Sequence, residues 1–175
     1  MRKVLYIFGI LTDGDIEWLA RIGRRQRLTD GDILIKEGER SSFLILLLEG
    51  ELLVHADGIG QVARLGTGEI VGEVSLVDSG PPSATVTARG DGLALFVDRA
   101  QLLQKLETDE GFAARFYRAL AMFLADRLRA SRLSTGAGIA DREGISKDEL
   151  DSEIMDHVFA AGERFNRMLR ILSNR

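Results

Sequence analysis

The residues best suited to bind a ligand lie in two short stretches, Val71-Gly-Glu-Val-Ser75 and Pro82-Ser-Ala-Thr85. The first follows a glycine-rich, strand-like region, and its residues from Gly72 onward would begin a short helix. Free backbone N–H groups at the start of a helix point outward and attract anions. The sequence therefore predicts a site for an anionic ligand here.

Composition excludes most catalytic and metal chemistry. The 175 residues contain no Cys, so thiol nucleophiles, disulfides, Cys-ligated zinc and iron–sulfur clusters are ruled out. Only His55 and His157 are present, and both are interpreted as ordinary surface or helix residues. No Ser–His–Asp spacing, GxxxxGK loop or paired catalytic carboxylate occurs. We expect no enzymatic activity, no catalytic residue and no metal site.

The charge balance limits the possible partners. Twenty-three Lys and Arg against 27 Asp and Glu give a net charge of −4, which argues against a surface that binds nucleic acid as a whole. Arg21, Arg24, Arg25 and Arg27 form either a local nucleic-acid face or a solvated basic patch. No apolar run approaches the roughly 20 residues of a membrane span, and no signal peptide is evident. We expect a cytoplasmic location.

The first half of the chain reads as short strands separated by glycine turns. A short helix is predicted over 13–23, with Asp13 in position to cap it. Six or more strand signals follow between about residues 33 and 97, several with alternating apolar residues. Short strands punctuated by glycine are typical of an antiparallel sandwich or roll.

After Asp98 the apolar spacing changes to three and four residues, which predicts helices. A short helix covers about 100–106, and a longer one begins at Asp109 or Glu110. A glycine-rich stretch then reads as a linker. A last helix is predicted from about Lys147, because Ser146-Lys-Asp-Glu149 forms a capping box before apolar residues.

This order of elements, together with two stretches, resembles the cyclic nucleotide-binding domain of the catabolite activator (cyclic AMP receptor protein) type over roughly residues 10–133. The first stretch runs from Leu34 to Gly50 and matches at Gly38, at the apolar residues 44–47 and at Gly50. The second, 71–76 followed by 82–88, corresponds to the family's phosphate-binding cassette. The resemblance implies a stand-alone, mainly β domain: a double-stranded β-helix, or jelly-roll-like β-roll, with flanking helices and C-terminal α-helices.

The resemblance also implies a ligand and the residues that bind it. A cyclic nucleotide, cAMP or cGMP, would lie in the cassette, with the ribose 2′-hydroxyl donating to Glu73. Ser83, with the N–H groups at Ser83 and Ala84, would reach phosphate oxygens. The predicted ligand-binding residues are Val71, Gly72, Glu73, Val74, Ser75, Pro82, Ser83, Ala84 and Thr85.

One residue departs from the family's pattern. An Arg normally precedes the cassette Ser and pairs with the cyclic phosphate, but Pro82 occupies that position and offers neither charge nor N–H. A hydrogen bond to a charged group contributes about 1.5–3 kcal/mol, so its loss weakens binding by roughly 10- to 150-fold. Arg64, Arg127 and Arg129 are candidates to supply the missing charge.

Simpler interpretations of these residues stay open. Glu73 is alternatively a solvated carboxylate in a turn. Ser83, Thr85 and Thr87 are alternatively the polar face of a strand. Gly38, Gly50, Gly66 and Gly72 are interpreted as turn formers that need a positive φ.

The predicted domain comprises residues 1–133, followed by a linker over 134–146 and an amphipathic helix over 147–175. No winged helix-turn-helix fits after the long helix, so direct DNA binding is not expected. By resemblance the long helix would form a homodimer interface, and its apolar residues either serve that interface or cover the roll. Those residues are Phe116, Leu120 and Phe123.

The last helix has three possible positions. Its apolar stripe, from Leu150 to Leu172, would fold over the pocket as a lid, pack on the side of the roll or pair with a partner chain. Two functional hypotheses follow. The first is a non-enzymatic regulatory sensor module whose ligand pocket is coupled to the C-terminal helices. The second is a degenerate cyclic nucleotide-binding-like domain that acts as a protein-interaction or scaffold module and docks through helix 147–172.

Overall fold

The computed structural model describes residues 4–78, 80–134 and 152–173. An antiparallel sheet forms the centre of the fold, and helices precede and follow it. The helices are α1 (Val4–Ile10), α2 (Asp13–Ile22), α3 (Glu73–Asp78), α4 (Arg99–Thr108), α5 (Glu110–Ser134) and α6 (Ser152–Ser173), and the strands are β1 (Arg24–Leu28), β2 (Ile33–Ile35), β3 (Phe43–Ala56), β4 (Gly60–Gly66), β5 (Ile70–Val71) and β6 (Thr85–Asp98).

The described residues form one six-stranded sheet in the order β1-β6-β3-β4, with β2 paired to β6 and β5 paired to β3. The long strands β3 and β6 are antiparallel along their whole length, from Phe43 opposite Asp98 to His55 opposite Thr85. This mainly β architecture with flanking helices confirms the predicted fold class. The short strands β2 and β5 place the two cassette stretches beside the long pair.

Strands β3 and β6 are each one long strand, where the sequence predicted separate short strands. Gly50 has a φ of 99° and lies inside β3. A Cβ there would lie 2.9 Å from the carbonyl oxygen of Asp91, so only glycine lets β3 and β6 approach this closely. The register of the two strands shifts on both sides of Glu49. The predicted glycine turn is therefore a bend within one continuous strand.

Apolar residues pack on both faces of the sheet. One cluster fills the inside of the roll, and a second fills the space between the sheet and the helices. The inner cluster comprises Leu28, Ile35, Ile45, Leu47, Leu52, Leu65, Val71, Val86, Ala88, Ala94 and Phe96.

Helix α2 forms where predicted, but its cap is one residue earlier than Asp13. Thr12 is the N-cap, and its hydroxyl accepts a hydrogen bond from the Asp15 N–H at 3.3 Å. The Asp15 carboxylate in turn accepts from the Thr12 N–H at 2.8 Å. These two bonds make a capping box that the sequence analysis missed.

Helix α5 lies against the rest of the chain through its apolar stripe. Phe116, Leu120 and Phe123 are 3%, 4% and 1% exposed and belong to the cluster between sheet and helices. The expectation that these residues form a homodimer interface is therefore wrong, because they are already buried within one chain. The alternative, that the stripe covers the roll, is the arrangement found.

Helix α6 packs on the N-terminal helices. Met168 is fully buried, and the ring of Phe165 meets that of Phe8 edge-on at 5.4 Å. Arg164 donates to the Asp13 carboxylate at 2.8 Å and to the Phe8 carbonyl at 2.9 Å. Of the three positions considered, packing beside the roll is the closest to the one observed.

The predicted start of the last helix near Lys147 and its capping box at 146–149 lie outside the described residues. The predicted linker over 134–146 does too, except Ser134, which is the last residue of α5.

Candidate functional site

The first half of the cassette begins where β5 ends. Val71 is buried in the inner cluster, and Gly72 follows with a φ of 88°. A Cβ at Gly72 would lie 2.8 Å from the Phe43 carbonyl oxygen, which leaves room for glycine only. The chain turns sharply at this point, and Glu73 becomes the first residue of α3.

Glu73 is buried and paired with an arginine from α5. Its side chain is 2% exposed, and its Oε1 accepts a hydrogen bond from Nη1 of Arg127. Arg127 Nη2 also donates to the Ile70 carbonyl at 3.2 Å, and its guanidinium lies 4.9 Å from the centre of the Phe123 ring. We call Glu73, Arg127 and the Ile70 carbonyl the Glu73 latch. The latch ties α5 to the start of α3.

A second carboxylate lies close to the latch. Glu69 is 6% exposed, and its Oε2 lies 3.6 Å from Nη2 of Arg127. Burial raises the pKa of Glu73, and this effect outweighs Arg127, which acts in the opposite direction, while Glu69 raises the pKa further. The positive charge of Arg127 is thus shared between two acids and compensates Glu73 only in part.

The next two cassette residues face in different directions. Val74 is 48% exposed, whereas Ser75 is buried. The Ser75 carbonyl accepts a hydrogen bond from Nη2 of Arg99 at 2.7 Å. Arg99 therefore fixes the backbone of α3 to the end of β6, and the roles of Val74 and Ser75 in ligand binding stay predictions.

The second half of the cassette is anchored to the turn after β2. The Pro82 carbonyl accepts from the Gly38 N–H at 2.9 Å, and the Thr85 hydroxyl accepts from the Glu37 N–H at 3.1 Å. Ser83 is exposed and Ala84 half-buried. The Thr85 hydroxyl thus already has a structural partner. Contact of Pro82, Ser83, Ala84 and Thr85 with a ligand stays a prediction.

The fold brings the two halves to the same part of the roll. Val71 begins the first half and Val86 follows the second, and both lie in the inner cluster with Ile35. Two small apolar cavities, of about 20 and 10 Å³, occur among the described residues. Both lie between sheet and helices, and neither is lined by Glu73 or Ser83. A ligand pocket between those two residues stays a prediction.

The three arginines considered as replacements for the missing cation have different positions. Arg64 pairs with Glu51 on neighbouring strands, away from α3. Arg127 lies directly at Glu73, and the side chain of Arg129 is outside the description. Arg127 is therefore the candidate at the cassette. Sequence reasoning named it without being able to place it.

Comparison with known proteins shows which family the chain is similar to. Residues 25–109, 85 of the 175, match the family model of the cyclic nucleotide-binding domain. The predicted resemblance to regulatory cyclic nucleotide-binding domains is thereby confirmed. The family binds cAMP or cGMP and is regulatory and generally non-enzymatic.

Solved structures support the same fold. A cyclic nucleotide-binding domain from Methylobacillus flagellatus KT superposes with a TM-score of 0.69 at 23% identity, covering 81% of this chain and 86% of that one. The catabolite activator protein of Thermus thermophilus gives a TM-score of 0.57 at 23% identity, covering 94% and 84%. At these identities the likeness establishes the fold.

Among curated proteins, a cGMP-dependent protein kinase of Plasmodium berghei is 30% identical over 106 residues. The match covers 60% of this chain but only 12% of the kinase. The chain thus corresponds to a small part of that relative.

Within the described ranges, no helix is both long and apolar enough to span a bilayer. The same residues contain no group of three or more acidic, His or Cys side chains placed to hold a metal ion.

Sequence reasoning missed two residues that shape the site, Glu69 and Arg99. Each is a single charged residue beside a strand, and nothing in its spacing signals that it faces inward.

Proposed function

We propose that this chain is a non-enzymatic, cytoplasmic regulatory module in which a cyclic nucleotide at the cassette controls the contact of α5 with the roll. The observation that carries the proposal is the pairing of Glu73 with Arg127. It joins the predicted ribose-binding carboxylate directly to the helix that follows the roll. In this proposal residues 1–133 act as one unit, 134–146 as a linker and 147–175 as a further arm.

The Glu73 latch would couple ligand binding to α5, because the ligand and Arg127 of α5 both bind the Glu73 carboxylate. A ribose 2′-hydroxyl would donate to Glu73, whose Oε1 already accepts from Arg127. A cyclic phosphate carries a negative charge that Pro82 cannot pair, and Arg127 is the cation that contacts the Glu73 carboxylate. Ligand entry would therefore move Arg127 from Glu73 to the phosphate. The position of α5 would then depend on the ligand. Such a shift requires that the two positions of α5 bind the ligand with different affinities.

Calorimetry with cAMP and cGMP tests this proposal on the wild type and on Pro82→Arg. The substitution restores a cation before Ser83, and we expect roughly 10- to 150-fold tighter binding. Pro81→Arg is the matched control, because Pro81 is the exposed neighbour and the net charge changes equally. Binding heat that is absent from wild type and Pro82→Arg alike at millimolar ligand would refute the proposal.

The scaffold hypothesis is the second candidate, and one observation favours it. Glu73 already has a partner within the chain, so the cassette is satisfied without a ligand. In this case helix 147–172 would dock on a protein partner. Since Ala161, Met168 and Leu172 of α6 are buried, such a partner must use the outer face of α6 or displace α6 from α1. The same calorimetric series distinguishes the two candidates.

We also propose a homodimer through the outer face of α5 in place of the buried stripe. Tyr117 and Leu128 are 45% and 59% exposed. Exposed Ala121 and half-buried Leu124 lie between them at coiled-coil spacing. A second copy would cover this stripe by presenting the same face. Sedimentation equilibrium should show a dimer that Leu128→Glu weakens, whereas the exposed-site control Gln104→Glu leaves it intact. A monomer at high micromolar concentration would refute this arrangement.

A further inference from the structure

Strand β1 forms a free and strongly basic edge of the sheet. It stands first in the strand order and, within the described residues, pairs only with β6. Its sequence is Arg24-Arg-Gln-Arg-Leu28, and its first four residues are exposed in succession. A strand edge of this kind presents backbone N–H and C=O groups that can pair with another strand.

The arginines of this edge differ from several others in the part of the protein that the structure describes. Arg115, Arg127, Arg164 and Arg167 each bind a carboxylate of another element. By contrast, neither Arg25 nor Arg27 contacts a carboxylate in the part of the chain that the structure describes. Arg24 lies over the ring of Phe43 at 5.9 Å. Among the described residues, no carboxylate thus compensates the positive charge that Arg25 and Arg27 give this edge.

Arg25 and Arg27 have the spacing of one strand face. Arg25 lies opposite Leu95 of β6 and Arg27 opposite Leu93. Residues two apart in a strand point to the same side, roughly 6.6 Å from each other. A strand added beside β1 would place its own alternate residues next to them, where opposite charges stabilise the pairing.

We propose that β1 binds an extended segment of another protein, with acidic residues at alternate positions, which adds to the sheet as a further strand. The paired backbone groups would give affinity, and the Arg25–Arg27 face would select acidic side chains. The surface is distinct from the cassette, so it functions whether or not a nucleotide binds there.

The charge of the edge also argues against a second copy of this chain as the partner. An antiparallel pair of β1 strands centred on Gln26 would place Arg25 of one copy opposite Arg27 of the other. Like charges directly opposite each other destabilise a strand pair. A nucleic acid would satisfy the arginines but has no peptide backbone to pair with the strand edge.

Fluorescence anisotropy with defined peptides tests the proposal on the full chain. The probe is a labelled ten-residue peptide that alternates Glu with Thr, and a Lys–Thr peptide is the negative probe. We expect the acidic peptide to bind at low salt and the basic one not to. Arg25→Glu/Arg27→Glu should lower the affinity at least about tenfold. Arg25→Gln/Arg27→Gln should lower it less.

The matched control is Arg40→Glu/Arg118→Glu, which changes the net charge equally at two exposed arginines away from β1. It should leave the affinity within about twofold, since long-range charge effects are screened by salt. Circular dichroism verifies that each variant folds. An equal loss in both Glu pairs would overturn the proposal, because it would show a response to net charge alone.

Two modified probes test whether the peptide pairs as a strand. Each is the acidic peptide N-methylated at alternate residues, one at the Glu and the other at the Thr positions. A peptide that pairs with β1 through one of its own edges should lose binding when the N–H groups of that edge are methylated. It should keep binding when those of its other edge are methylated. If both bind as well as the unmodified peptide, or if the unmodified peptide does not bind, the proposal is refuted.

Discussion

Two buried carboxylates are held by arginines of the same helix, yet their surroundings differ. The carboxylate of Asp15 in α2 accepts hydrogen bonds from Nε and Nη2 of Arg115 at 2.7 and 2.9 Å. It also accepts one from the Thr12 N–H. The carboxylate of Glu73 in α3 accepts a hydrogen bond from only one nitrogen of Arg127, Nη1. The other, Nη2, donates to the Ile70 carbonyl and lies near Glu69. Asp15 has a two-point arginine contact, whereas Glu73 shares its arginine.

The pKa values of the two acids shift in opposite directions. Burial pushes the pKa of Asp15 upward, but the hydrogen bonds from Arg115 and Thr12 outweigh it and hold the pKa below its usual value. At Glu73 burial prevails, and the pKa is raised. Near its start, α5 is therefore held by the Arg115–Asp15 ion pair, whose hydrogen bonds outweigh the cost of burying the acid. At Arg127 it is held by the ion pair with Glu73, where that cost prevails. The second contact is the one suited to rearrangement.

The largest expected effect is at the well-satisfied pair. Asp15→Asn removes the charge that Arg115 pairs with and weakens the capping box, so the free energy of unfolding should fall by about 2–3 kcal/mol. Urea denaturation measures it, and Asp57→Asn at an exposed position is the control. A loss below about 1 kcal/mol would mean that the pair contributes little more than a surface ion pair.

The corresponding change at the latch should have a much smaller effect. Glu73→Gln keeps an oxygen that can accept from Arg127 while removing a buried charge close to Glu69. We expect the free energy of unfolding to stay within about 1 kcal/mol of wild type. If urea denaturation shows that Glu73→Gln costs as much as Asp15→Asn, the distinction between the two pairs is wrong.

Replacing each arginine by lysine sharpens the comparison further. Lysine cannot reproduce the two-point contact of Arg115, so Arg115→Lys should cost about 1–2 kcal/mol of unfolding free energy. Arg127→Lys keeps a single donor for Glu73 and should cost less than about 1 kcal/mol. The order of the two variants in one denaturation series is the test, and the reverse order would contradict the account.

The pH dependence should separate the two acids with opposite signs. A raised pKa at Glu73 stabilises the fold at low pH, and this contribution is lost as the pH rises through the folded-state pKa. Glu73→Gln should therefore gain stability relative to wild type as the pH rises above about 4, the ordinary pKa of a Glu side chain. The lowered pKa of Asp15 stabilises the fold above its ordinary value, so the deficit of Asp15→Asn should shrink as the pH falls below about 4. Urea denaturation at several pH values checks both signs, and parallel curves would contradict them.

The sequence predicted much of the fold because the signals were local. Gly50 and Gly72, the alternation along β6 and the stripe of α5 are all visible in the order of residues. Helix α1 and strand β1 were missed for different reasons. The sequence before the apolar run of α1 offers no Ser, Thr, Asp or Asn to cap a helix. Arg24-Arg-Gln-Arg shows no alternation of apolar and polar residues, and all four are exposed.

The site was harder to predict, since its contacts join distant parts of the chain. The cassette motif identified Glu73, but its pairing with Arg127 spans 54 residues and depends on the direction of α5. The same holds for the buried stripe of α5. Periodicity shows that Phe116, Leu120 and Phe123 share a face, and only packing shows that the face turns inward.

The distance between α3 and α5 tests the central claim most directly. Because the chain has no native Cys, spin labels at Val77→Cys and Met122→Cys, both exposed positions outside the proposed dimer stripe, report on the distance between α3 and α5. We predict a narrow distance distribution in the labelled parent that broadens in Arg127→Ala, and that shifts in the labelled parent at millimolar cAMP or cGMP. An unchanged distribution in both cases would show that α5 does not depend on the latch.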